Sequence, residues 1–195
     1  MIVGLLLAGG RSCRFGTDKA THPLDDGVMM DAPLAGLAAI SDRIAVSARP
    51  GSPARTEAVR RRLACLTDAQ NAPAGPLAGI QAGLAWAATL GADWLATAPC
   101  DAPTITARLF EDLRSALQQG AVAAVARSPA GNEPLIAIWP VSAAGLLIDR
   151  ALASGGHPPV RRLLSAMGAT EVAGHDGRNI NTPEDLACLL SDRPS

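Results

Sequence analysis

The sequence has almost no lysine. Seventeen residues are basic, and all of them except Lys19 are arginine. Where arginine is used nearly throughout, a single lysine asks for a local reason: its ammonium is a compact point charge on a flexible stem, whereas a guanidinium brings a planar fork. Excess charge is missing too. The formal net charge is −1, so no global field recruits nucleic acid or an anionic membrane. The densest basic run, Arg60, Arg61 and Arg62, reads as a solvated helix end. Cysteine is sparse and scattered: Cys13, Cys65, Cys100 and Cys188 never form a Cys-x-x-Cys pair, which excludes a zinc ribbon or a dithiol redox motif. At this length they do not make a disulfide-dense secreted scaffold either, so reduced thiols in the cytoplasm are expected. No apolar run approaches the roughly 20 residues of a membrane span, because Asp93 interrupts the longest alanine-rich segment. The apolar opening, residues 2–8, has no basic leader and runs into a glycine turn, so it reads as a strand rather than a signal peptide. The expectation is a soluble, unprocessed cytoplasmic protein. No Ser–His–Asp or Cys–His arrangement is visible, and His22, His157 and His175 read as surface or loop residues.

What is present is a chain of 195 residues, 48% hydrophobic, enough to bury one full core. Strand patterns at 2–7, 43–48, 64–67, 94–98, 121–127, 134–139 and 170–173 alternate with helical patterns near 32–40, 54–63, 77–90, 107–119, 143–153, 160–167 and 183–190. That alternation predicts one α/β domain over 1–190, a mostly parallel sheet with helices on both faces, and a frayed tail at 191–195. The last helix start is the best marked: Thr182-Pro183-Glu184-Asp185 supplies an N-cap hydroxyl, proline at the first helical position and acids in the first turn.

Three stretches carry chemistry. Residues 5–19, Leu-Leu-Leu-Ala-Gly-Gly-Arg-Ser-Cys-Arg-Phe-Gly-Thr-Asp-Lys, follow the first strand. Gly9 and Gly10, just after Ala8, let backbone N–H groups approach an anion with no Cβ in the way, and Arg11, Arg14 and Lys19 offer three cations to a polyphosphate. The stretch is neither Gly-x-x-x-x-Gly-Lys-Ser/Thr nor Gly-x-Gly-x-x-Gly, so P-loop ATPases and standard dinucleotide sites are excluded. Second, Ala98-Pro99-Cys100-Asp101-Ala102-Pro103 places one acid between two prolines at a strand end. A carboxylate there suits Mg²⁺ beside phosphates, and it equally suits a cap on a helix beginning near Thr104. Third, Asp68 precedes Gly75-Pro76-Leu77-Ala78-Gly79-Ile80, where Gly79 permits either a ligand or a strand to lie close to the helix. The glycine-rich loop, Ser47, Asp68 and Asp101 all fall just after the first four strands. In an open parallel sheet those ends meet on one edge, where ligands bind.

The ordered set Leu-Ala-Gly-Gly-Arg-Ser-x-Arg-Phe-Gly-x-Asp-Lys-Ala, Gly-Pro-Leu-Ala-Gly-Ile, Pro-Cys-Asp-x-Pro and Asn-Ile-Asn-Thr-Pro-Glu-Asp-Leu resembles the molybdenum cofactor guanylyltransferases. These are MobA-like nucleotidyltransferases with a three-layer, Rossmann-like fold, and the resemblance runs from residue 2 to about residue 190. It implies transfer of GMP from GTP to molybdopterin, or to its molybdenum-loaded form, with Mg²⁺ and release of pyrophosphate. It implies that Leu7, Ala8 and Gly9, with Gly10 beside them, contact guanine and ribose. Lys19, with Arg14, would hold the phosphates; Asp68 would contact the nucleotide; Asp101 would bind the metal; and Asn179 and Asn181 would hold the molybdopterin. Other cofactor-biosynthesis proteins and acceptor molybdoenzymes are the implied protein partners, with neither nucleic acid nor membrane. The sequence departs from the pattern at Phe15, where methionine is usual, at Ser47, where asparagine often contacts the nucleotide, across the polar start of 21–30, and at Trp139-Pro140 and 155–159. The related alternatives are cytidylyl transfer, whose pattern opens with Ala-Ala-Gly and lacks Gly-Pro-Leu-Ala-Gly, other NTP transfer, and a nucleotide-binding partner protein without catalysis.

Overall fold

Strand β1 (Ile2–Leu7) is apolar on both faces, with Val3 and Leu5 turned to one helical layer and Leu6 to the other. Only a central strand covered on both sides needs such a run. In the computed structural model, which describes residues 1–10, 18–24, 27–67, 75–153, 157–174, 176 and 178–191, β1 is the third strand of a seven-stranded sheet. The order is β5-β4-β1-β6-β8-β7-β9, with β4 at Arg43–Ser47, β5 at Ala64–Leu66, β6 at Trp94–Pro99, β7 at Ala124–Ser128, β8 at Gly131–Pro140 and β9 at Thr170–Ala173. All strands run parallel except β8, which is antiparallel to both β6 and β7. The expected single α/β domain with a mostly parallel sheet is what the chain forms.

Helices α1 (Asp31–Ala38), α2 (Pro53–Arg60) and α4 (Ala107–Gln118) cover the face that buries Leu6, Val46, Phe110 and Leu113. Helices α3 (Pro76–Thr89), α5 (Val141–Ala153) and α6 (Val160–Ala166) cover the other, over Leu5, Ile80, Leu84 and Trp139. Trp139, a departure from the family pattern, is fully buried. Its indole N–H donates to Thr97 Oγ1 at 3.1 Å, so it is a core residue with no part in the strand-end site.

Four details differ from expectation. A two-stranded ladder, β2 (Pro23–Leu24) with β3 (Gly27–Val28), forms in the polar 21–30 segment. It is tied back by Met29 N donating to His22 O at 2.9 Å and Met30 N to Ala20 O at 3.0 Å. The strand expected over 121–127 starts at Ala124 and runs on to Ser128, and that expected over 134–139 is longer, because the Pro129–Ala130 turn closes a hairpin on Gly131, whose φ of 125° favours glycine. The helix expected over 107–119 starts at Ala107 as read, with Thr106 Oγ1 accepting from Leu109 N at 3.3 Å, but ends one residue earlier at Gln118, and the alternative start near Thr104 is not used. Finally, α7 (Pro183–Ser191) extends one residue into the stretch read as a frayed tail, whose remainder lies outside the described residues. Its start follows the reading of Thr182: Thr182 Oγ1 accepts from Asp185 N at 3.2 Å, while the Asp185 carboxylate accepts from the N–H groups of Asn181 and Thr182 at 2.8 and 2.9 Å. Those backbone bonds hold the Asp185 carboxyl below its ordinary range.

Among the described residues no helix is long and apolar enough to cross a membrane.

Candidate active site

The carboxyl ends of β1, β4 and β6 open into a cavity of about 510 Å³. Its floor is the exit of β1, where Ala8 N donates to Ser47 O at 2.8 Å and Cys100 N donates to Leu7 O at 3.1 Å. These bonds clamp the three strand ends into one rim. Leu7, Ala8, Gly9 and Gly10 all line it, as do Lys19, Ser47, Gly79 and Asp101. Eight of the residues singled out from sequence therefore meet at one place. Arg14 and Asp68 lie outside the described residues, as do Arg11, Phe15 and His175.

Lys19 stands at the centre. Its Nζ donates to Asp101 Oδ2 at 3.1 Å and to Asn181 Oδ1 at 3.0 Å, joining residues 82 and 162 positions away. The ammonium side chain is only 12% exposed and its carboxylate partner 23%. The turn that carries it is fixed by His22 N donating to Lys19 O, and by Thr21 N donating to Asp18 Oδ1 at 3.3 Å. Asp101 caps no helix, since Thr106 does that work; its carboxylate faces Lys19, and its carbonyl accepts from Ile180 N at 2.8 Å. The neighbouring Cys100 is no nucleophile. Burial, helped by the Asp101 and Asp18 carboxylates and opposed by Lys19, pushes its thiol up, so the sulfur stays protonated.

On the opposite wall α3 enters at Gly75, whose φ of 139° suits glycine, followed by Pro76 at the first helical position, with no side chain capping its first turn. Gly79 proves to serve close packing as well as the cavity: a Cβ there would lie 2.9 Å from Ser47 Oγ and 3.0 Å from Leu7 Cδ2. Ser47 itself is 2% exposed beneath the helix.

A second cavity of about 240 Å³ adjoins the first and shares Pro99, Asp101 and Leu135 with it. Asn179 and Asn181 line it, together with Glu133, which reading the sequence did not single out. The β7–β8 register shifts between Val125 and Ala126, so that Ala137 and then Glu133 face successive residues of β7. The intervening Pro134, Leu135 and Ile136 bulge into the cavity wall. A proline inside a strand was the visible signal for this bulge. Glu133 accepts from Ser128 Oγ at 2.8 Å and from Asn179 Nδ2 at 3.3 Å. A carboxylate can only accept here, so this contact fixes which end of the Asn179 amide faces Glu133. The other end, Oδ1, is buried and has no hydrogen-bond partner among the described residues. Arg49, just past β4, is a further cavity residue that reading the sequence did not single out.

The sequence profile of the MobA-like NTP transferase domain matches residues 4–172. The chain belongs to this family. Among similar proteins are the molybdenum cofactor guanylyltransferases of Acidiphilium cryptum, 37% identical over 194 residues and covering 97% of this chain and 94% of that protein, and of Cereibacter sphaeroides strain ATCC 17029, 37% identical over 190 residues with 95% and 94% covered. The fold is shared with the molybdopterin-guanine dinucleotide biosynthesis protein A of Archaeoglobus fulgidus, with a TM-score of 0.74, 21% identity and coverage of 99% and 100% of the two chains. It is shared equally with the 4-diphosphocytidyl-2C-methyl-D-erythritol synthase of Anaerococcus prevotii, with a TM-score of 0.75, 13% identity and 99% of both chains covered. At these identities the two likenesses show the fold alone. The profile also stops before Asn179 and Asn181, so the segment that closes the second cavity lies beyond the shared NTP transferase domain.

Proposed function

We propose that this chain transfers GMP from GTP to molybdopterin, forming the guanine dinucleotide and releasing pyrophosphate. The observation that carries the reading is the pair of adjoining cavities with Asp101 and Lys19 at their junction, in a chain with guanylyltransferase relatives along nearly its whole length. The larger cavity has the volume of an ordinary small-molecule site, about 300–1,000 Å³, and takes the nucleotide. The smaller takes the pterin end of the acceptor, against Asn179 and Asn181.

The nucleophile is an oxygen of the acceptor's terminal phosphate, which is already anionic near neutral pH, since the second ionisation of such a monoester lies at about 6. No general base is needed. The oxygen attacks the α-phosphorus of GTP, a new P–O bond forms, and the bond to the β-phosphate oxygen breaks with its electron pair leaving on pyrophosphate. The difficulty is electrostatic: two anions must meet, and charge grows on the leaving group. Lys19 supplies a fixed positive charge where the two cavities join, and the glycine-rich exit of β1 brings backbone N–H groups close to phosphate oxygens. Preorganised charge of this kind is commonly the largest catalytic contribution. The donor set also fits Mg²⁺, a hard cation that takes one or two protein carboxylates and fills its shell with phosphate and water; Asp101 would hold it. When bound, the metal supplies further charge neutralisation on the phosphates. Arg14 and Asp68 are assigned to phosphate and nucleotide on the family resemblance alone.

The test is steady-state turnover of purified protein with molybdopterin, Mg²⁺ and each of GTP, CTP and ATP, followed by pyrophosphate release and identification of the dinucleotide. GTP-dependent product is expected. CTP as the preferred donor would move the chain to the cytidylyl alternative, and nucleotide binding without pyrophosphate release would make it a binding protein.

A further inference from the structure

Arg49 is the unexplained cation of the nucleotide cavity. It lines the cavity from just beyond β4, is exposed, and makes no side-chain hydrogen bond or ion pair among the described residues. The other cation described there, Lys19, is engaged by Asp101 and Asn181. The strand order separates the two. Arg49 follows β4, Lys19 sits against the end of β6, and β1 lies between, so the two ends of the cavity are about 10 Å apart at a spacing of about 4.8 Å per strand.

That separation orients the nucleotide. If the second cavity holds the acceptor, the reacting α-phosphate must lie beside Asp101, which both cavities share. The base must then lie at the far end, over β4 and the entry of α3, where Arg49, Ser47 and Pro76 are found. Ser47 offers only a short hydroxyl buried beneath Gly79. Arg49 offers a planar fork of N–H donors. Guanine presents two acceptors side by side, O6 and N7, a pair that arginine reads with two parallel bonds; adenine turns a donor toward the fork at the O6 position, and cytosine has no equivalent pair on that edge.

We infer that Arg49 is a specificity-determining residue, selecting guanine by donating to O6 and N7. The inference rests on the guanylyltransferase reading. A phosphate-binding role is disfavoured by the distance from the Asp101 end.

Isothermal titration of the full chain with GTP, 7-deaza-GTP, ATP and CTP, in Mg²⁺, tests it on wild type and Arg49→Ala. Wild type should bind GTP more tightly than the other three, because 7-deaza-GTP lacks the N7 acceptor and ATP and CTP lack the matched pair. Arg49→Ala should lose about tenfold in GTP affinity, the loss of one two-bond base contact, and should bind GTP and 7-deaza-GTP equally. A variant that keeps the wild-type GTP to 7-deaza-GTP ratio overturns the inference. Equal weakening of all four nucleotides does so as well, since it would place Arg49 on the phosphates. If wild type itself shows no preference for GTP, the guanylyltransferase reading fails first; a GTP preference that survives in Arg49→Ala overturns the inference alone.

Discussion

At the scale of single residues, the pair Lys19–Asp101 is where structure and chemistry meet. The ammonium is anchored by two oxygen acceptors from distant parts of the chain, so its position is set before any ligand arrives. Lys19→Ala should lower kcat by about 10²- to 10³-fold, the usual cost of one preorganised charge, and Lys19→Arg should not restore it, because a forked, wider group does not fit between Asp101 and Asn181. Single-turnover rates measure this directly. Asp101→Asn separates two roles for the carboxylate. If Asp101 only positions Lys19, the variant loses rate at every Mg²⁺ concentration alike; with Asp101 holding the metal, the Mg²⁺ concentration for half-maximal rate rises. The second outcome is expected.

At the scale of elements, glycine in α3 is a packing device. A Cβ on Gly83 would lie 2.5 Å from Leu5 Cδ2 and 3.2 Å from Leu95 Cδ2, both fully buried. Gly83→Ala should therefore destabilise the fold by a net of about 1 kcal/mol, as overpacking outweighs the gain in helix propensity. Gly145 in α5 has nothing within 4 Å of the same position, so Gly145→Ala should stabilise by up to about 1 kcal/mol. Urea midpoints of opposite sign are the check. The α2–α1 contact has a different signature. Glu57 accepts from Arg60 at 2.8 and 2.5 Å and from Arg61 at 2.7 Å, while Arg61 also reaches Asp31 on α1. These guanidinium bonds, Arg60 first, hold the Glu57 carboxyl at about 2, below its ordinary 4.5. Its contribution is thus complete above about pH 4.5 and lost as pH falls toward 2. Glu57→Gln should flatten the decline of stability across that window, and parallel curves for variant and wild type would show that the contact contributes nothing.

The same scale shows what the sequence could and could not disclose. Period-two and helical patterns placed every long element, because each buries one or two complete faces. The residues at the strand ends were legible because a parallel sheet brings those ends to one edge. Glu133 was not, because it reaches the cavity only through a bulge whose register depends on the partner strand. The Pro23–Leu24 and Gly27–Val28 ladder was not, since two-residue strands carry no periodicity and exist only because Met29 and Met30 are buried behind them. Arg49 was hidden by abundance: one arginine among sixteen carries no signal until the fold sets it in a cavity.

At the scale of the whole molecule, the site is closed by two regions far apart in sequence. Residues near Lys19 supply the cation, and the segment from Asn179 to Asn181 returns to Asp101 to complete the second cavity. A small apolar cluster of Met29, Ile180 and Leu189 holds them together, with Leu24 and Leu186 packed against it, separate from the two clusters that fill the faces of the sheet. A satellite cluster can open without unfolding the sheet, because few buried contacts tie it to the rest. Ile180→Ala should cost this cluster about 2–4 kcal/mol, and hydrogen exchange should report it as a joint loss of protection in Gly27–Val28 and α7, with β1 and β6 unchanged. In kinetics the variant should raise KM for the acceptor more than it weakens GTP binding, since the ends of β1 and β4 and the start of α3 line the larger cavity away from this cluster, while among the described residues only Lys19 and Asp101 on that cavity's wall touch the 179–181 segment. A uniform loss of protection across the sheet, or an equal loss for both substrates, would show that the C-terminal segment is part of the core and not a separable wall of the acceptor site.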